Sequence, residues 1–269
     1  MRSIGLATFG ISVLALGAVT GAAAELKPEA TAAYDRYVRI IRKSPAANVP
    51  LEAAYKSRAR AGEIVIHNPV ASTEVPGALI HDWTGTTFIP GARVEDVVEL
   101  LRDFDHHAEV YDEVIGSKLL QRGADLVRGR WQLRKKKLIT VVLNVDMEAH
   151  YRQVSPDAWV VNSWSTRIAE VADAGKRSEH EISLDKSRGF LWRLDAHWWV
   201  EQSDGGVYVV CRTISMSRRA PTGLGWLIKP MILDAPRESL VSTLEGTRDA
   251  IALLTAANHY RSKTTLPPR

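Results

Sequence analysis

Cysteine is almost absent: Cys211 is the only one in 269 residues, so the chain cannot close an intrachain disulfide, and a buried, inert thiol is expected there. One thiol and scattered histidines offer no zinc-ligand spacing, and no metal or other cofactor is expected. After residue 24, no apolar run reaches the ~20 residues that a bilayer-spanning helix needs. A nucleophile elbow, a phosphate loop, an H-E-x-x-H pair and paired catalytic carboxylates are all missing, which argues against hydrolase or transferase chemistry and leaves no catalytic residue to name. The formal charge is only +4, and its basic residues are spread along strands rather than interleaved with stacking aromatics. Nucleic acid is therefore not an expected partner, whereas transient contact with an anionic membrane surface is.

The beginning of the chain is unlike the rest. Arg2 precedes an apolar run from Ile4 to Val19, and Ala22-Ala23-Ala24 stands before Glu25. A basic start, a short apolar middle and small residues at a cleavage point read as a secretory signal over 1–24. Export follows, to the periplasm if the source is Gram-negative and to the outside otherwise. Residues 25–60 read as a helical extension, with Tyr34, Val38 and Ile41 sharing a face that must dock on something. A main domain is expected over 61–258, and a disordered tail over 259–269.

Within the main domain, alternation and turn residues predict strands at 63–66, 78–89, 114–121, 126–135, 138–152, 159–171, 190–202 and 207–218. Arg93 to Phe104 reads as a helix with Val94, Val97, Val98 and Leu101 as its apolar stripe. Leu224 to Met231 reads as an apolar loop over a cavity mouth, and a helix is expected from Pro236 with Leu240, Leu244, Thr247, Ile251 and Leu254 at helical spacing. The predicted class is α+β: a curved antiparallel sheet gripping a long C-terminal helix, preceded by the helical extension.

Several segments carry a family likeness. They include Gly77 to Trp83, Phe88 to Ala92, Lys136 to Leu143, Thr166 to Val171, Gly189 to Leu194 and Pro221 to Leu240. On these the chain resembles the START-like (SRPBCC, helix-grip) superfamily of lipid-transfer and polyketide-cyclase domains, and within it an exported bacterial subgroup. The resemblance implies a hydrophobic cavity and brings no catalytic residue with it.

A cavity lining follows from the inward faces: Trp131, Val141, Leu143, Trp164, Trp192 and Trp198 from strands, Trp226 from the loop, and Leu240 and Leu244 from the helix. His81, Asn162, Arg193 and Arg237 are candidate polar anchors, the arginines for a phosphate or carboxylate. Thr166 and Thr213 are further polar points. His81 and Asp82 invite an acid–base reading, but they are adjacent in a strand, so their side chains leave opposite faces and cannot easily meet. Asp103, Asp105, His106 and His107 cluster at a helix junction without ligand spacing. The expected partner is a hydrophobic small molecule or lipid, such as a quinone or isoprenoid, carried in the cavity between sheet and helix and possibly moved between membranes; a polyketide cyclase or dehydratase using the same pocket is the alternative.

Overall fold

A computed structural model describes residues 23–43, 53–67, 72–137, 139–219 and 225–264, with side chains over 233–259 in the last segment. Helix α1 (Pro28–Lys43) and helix α2 (Ala53–Arg60) lead into β1 (Val65–His67), β2 (Thr73–Val75) and β3 (Ala78–Pro90). Helix α3 (Val94–Arg102), a tight turn at Phe104–His106 and the short α4 (His107–Val110) follow. A meander of β4 (Val114–Arg122), β5 (Leu126–Lys136), β6 (Thr140–Ser155) and β7 (Ala158–Ala172) comes next. The two-residue β8 (His180–Glu181), then β9 (Arg193–Ser203), β10 (Gly206–Arg218) and the long α5 (Gly225–Thr264) complete the order.

All strand pairs are antiparallel, in the order β1-β3-β10-β9-β7-β6-β5-β4, with β2 on β3 and β8 on β7. Helix α5 lies along the inner face over β3 and β10. It approaches closely because Gly85 has no side chain: a Cβ there would sit 2.4 Å from Leu244 Cδ1. The predicted stripe of α3 is buried at Val94, Val97, Val98 and Leu101, and Gln202 Oε1 accepts from Val94 N at 2.9 Å to satisfy a helix-start donor. This is a helix-grip arrangement, as the sequence leads one to expect.

The extension docks through the face that its apolar residues predict. Helix α1 docks on the outer face, where Ala30, Tyr34 and Val38 form a second core with Ala78, Ile80, Trp192, Ile214 and Met216. Helix α2 covers the same face near Phe88 and Tyr208. Both faces of β3 and β10 are consequently buried, whereas β5 and β6 keep one wet face, with Arg128 paired to Glu148 and Arg130 to Asp146.

Three predicted boundaries shift. The stretch read as a loop, Leu224 to Met231, is helical from Gly225 onward, so α5 starts well before Pro236. Helix α5 also continues to Thr264, inside the stretch expected to be disordered. The strand expected from Phe190 starts at Arg193, because Gly189 adopts φ +74 and turns the chain before it joins the sheet. Residues 1–22 lie outside the described residues.

Candidate ligand cavity

Strand alternation fixes which side chains meet α5. On β10 these are Cys211, Thr213, Ser215 and Ser217; on β9, Leu194, Ala196 and Trp198; on β7, Val161 and Ser163; on β6, Val141, Leu143, Met147 and Ala149. Between this face and α5 lies a cavity of about 280 Å³. Its walls include Leu101, Phe104, Trp131, Phe190 and Leu240, and the partly exposed lining residues Glu113, Lys135, Pro236 and Ser239 mark its mouth.

Of the residues expected to line it, Trp131, Val141, Leu143, Trp198 and Leu240 do. Leu244 is fully buried in the same core but packs over Gly85 rather than on the cavity. Trp164 is a correction: Val161 and Ser163 point in, so the next even position points out, where Trp164 stacks on His150 at 4.7 Å and under the Arg42 guanidinium. Trp192 is another, because the chain bends at Trp192 just before β9 begins at Arg193, so the parity of Leu194 and Trp198 stops short of it. It is buried beneath α1. The side chain of Trp226 lies outside the described residues.

The polar anchors divide in the same way. His81 reaches the cavity wall, and Asp82 leaves the opposite face to bond Tyr37 Oη at 2.7 Å and Arg212 Nε at 2.8 Å. Asn162 faces outward, its Oδ1 2.8 Å from His197 Nδ1. Arg193 also faces outward and donates to Trp192 O at 3.0 Å. Arg237 is exposed on α5, inside the helix and off the cavity lining, and its neighbour Glu238 accepts from Lys137 Nζ at 2.5 Å. Thr166 bonds Asp146 O at 3.2 Å on the outer side, whereas Thr213 lies on the wall as expected.

The four residues at the α3 junction separate. His106 Nδ1 meets Asp103 at 2.8 Å in solvent, and Asp105 Oδ1 accepts from Leu119 N at 2.8 Å. His107 turns inward: its Nε2 donates to Leu100 O at 3.0 Å, so its Nδ1 is free to accept from Trp131 Nε1, also at 3.0 Å. Both nitrogens are used, the tautomer is fixed and Trp131 is held against Phe104. Burial pushes His107 down to about 4 and does the same to His81, so both are neutral near pH 7.

His81 is held at both ends, with Ser72 Oγ 3.1 Å from Nδ1 and Ser217 Oγ 3.0 Å from Nε2. At the mouth, Lys135 pairs with Glu113 and lies 3.1 Å from Ser239 Oγ. The adjoining wall loop hangs on the buried Glu170, whose carboxylate accepts from Ser187 Oγ at 3.0 Å, Arg188 N at 2.9 Å and Phe190 N at 3.3 Å. Sequence reading placed His107 only in the helix-junction cluster, and missed Glu113, Lys135, Ser215, Ser217 and Ser239. The odd-numbered row Cys211, Thr213, Ser215, Ser217 was visible as alternation, but the mouth group joins three distant segments and left no local sign.

No family model matches the chain, and neither does any curated protein. Solved structures do. A Thermus thermophilus crystal structure aligns at 17% identity over 64% of this chain and 98% of that one, with a TM-score of 0.47. A STAR-related lipid transfer protein fragment from Xanthomonas axonopodis aligns at 16% identity over 68% and 97%, TM-score 0.44. A Streptomyces aromatase/cyclase aligns at 14% identity over 68% and 94%, TM-score 0.40.

Proposed function

We propose that this protein is an exported carrier that holds a hydrophobic molecule, a lipid, quinone or isoprenoid, in the cavity under α5. The enclosed apolar space supports the reading. Burying about 200 Å² of hydrocarbon there contributes about 5 kcal/mol at ~25 cal/mol per Å², with no catalytic group required. Native mass spectrometry and solvent extraction of protein purified from its own source are expected to reveal one bound apolar species. Protein that is empty, and remains empty when offered membrane lipids, removes the reading.

Export belongs to this proposal and rests on residues 1–24. Ala24 N donates to Ser187 O at 2.7 Å, so a cut after Ala24 would delete that bond and a cut after Ala23 would keep it. N-terminal sequencing of protein from the exported fraction identifies the cut, and recovery of full-length chain from the cytoplasm alone rules export out. Delivery to anionic membranes is the further step, read from transfer kinetics with anionic liposomes.

One observation favours a second reading, a cyclase or dehydratase. His81 is a neutral imidazole on the cavity wall, and by exchanging its bond to Ser217 for one to a substrate it would polarise a carbonyl bound beside it. Asn162 and Arg193 do not reach the cavity, so His81 would act without them. Turnover of a polyketone substrate that survives His81→Gln unchanged would sink the role of His81.

A further inference from the structure

Three hydroxyl side chains stand in a row on one strand. Thr213, Ser215 and Ser217 occupy successive inward positions of β10, so they span roughly 13 Å along the cavity wall. Ser215 is 7% exposed and makes no hydrogen bond among the described residues, so its hydroxyl is open to the cavity it lines. Thr213 is likewise without a partner among them, and Ser217 is tied to His81. Two cations on the lining are already engaged. Lys135 is held by Glu113 and Ser239, and Arg218 donates to the carbonyls of Arg188 at 3.1 Å and Arg219 at 3.4 Å, while Arg134 is exposed beside Lys135. Beside the row, a carboxylate or phosphate would have to draw Arg218 from these contacts, whereas a neutral oxygen needs only a hydroxyl that both donates and accepts.

We infer that this row is a recognition edge for uncharged oxygen substituents, so the cavity selects neutral oxygenated apolar molecules (ketones, quinones, esters or alcohols) over fatty acids and phospholipids. The inference rests on the carrier reading above and adds a ligand class to it. Burial keeps His81 uncharged, so it offers no charge of its own to greet an anion.

The test uses the full chain and the fluorescent probe N-phenyl-1-naphthylamine, competed by dodecanoate or by its methyl ester at about pH 8, where the acid is ionised. The ester is expected to displace the probe at a concentration about tenfold or more below that of the acid. Ser215→Ala, and Thr213→Val with it, should weaken the ester by about fivefold or more and leave the probe and the acid within about twofold. Equal competition by acid and ester, or a variant that weakens all three alike, overturns the inference and leaves the carrier reading standing. Failure of the probe to bind the wild-type chain removes the carrier reading itself. Should a variant not fold, the wild-type preference decides the question.

Discussion

The Ser239 hydroxyl donates to Glu113 Oε2 at 2.7 Å and ties α5 to the segment before β4 across the cavity mouth. Lys135, at the end of β5, joins both, so three segments remote in sequence close the opening together. The ion pair is about a quarter exposed on each side, which places its worth at about 0.5–1 kcal/mol. Glu113→Gln or Ser239→Ala is therefore expected to speed release of a bound apolar probe by about two- to fivefold, measured by stopped-flow fluorescence, with little change in stability. Salt at about 1 M should speed release from the wild type and not from Glu113→Gln. Identical release rates in all cases would show that the contact does not gate the mouth.

Acid should unfold the protein through its buried imidazoles. His81, His107 and His197 are each pushed by burial to about 4, below their ordinary 6.5. The unfolded chain binds protons that the folded one refuses, so this stability is present above pH 6.5 and is lost as pH falls toward 4. His81 and His107 each contribute on the order of 1 kcal/mol per pH unit within that window. Asp195 works the other way: burial raises its carboxyl, despite Arg42, and folding gains as it protonates. Urea midpoints followed from pH 7.5 to 4.5 should drop, and His81→Asn should flatten the slope. A constant midpoint across that range contradicts the account.

Helix α1 is held through Tyr34, whose buried hydroxyl lies 2.8 Å from both Asp195 Oδ2 and Ile214 O. Tyr34→Phe leaves those acceptors short of a donor and is expected to cost about 1–3 kcal/mol in urea unfolding. Probe affinity should hold, since Tyr34 is on the opposite side of the sheet from the cavity. Loss of binding in a variant that remains folded would show that the outer face shapes the pocket.

Cys211 is fully buried on the cavity side, and burial raises its thiol well above the usual range. It should resist Ellman's reagent at about pH 8 until the protein unfolds, so its labelling rate becomes a clock for global opening. Fast labelling of native protein would mean that the cavity admits the reagent and lowers the thiol's pKa.

Local rules in the sequence determined most of the fold. Period-two alternation placed Val141, Leu143, Trp131 and Trp198 on the inner face, helical spacing gave α3 its stripe, and the adjacency of His81 and Asp82 was enough to separate their side chains. Those rules act over a few residues, and the errors fall where something longer-ranged decides. Trp192 breaks the parity of Leu194 and Trp198 because the chain bends at that residue, before β9 begins. Trp164 was taken as lining because a tryptophan's size says nothing about its face, and the neighbouring inward Val161 and Ser163 settle that. The start of α5 was misplaced because Pro230 and Pro236 look like boundaries in sequence, yet the helix begins at Gly225 and passes both. Only the tertiary structure could bring Glu113, Lys135 and Ser239 to one mouth or leave Ser215 buried without a partner, since each depends on which distant strand or helix covers that face.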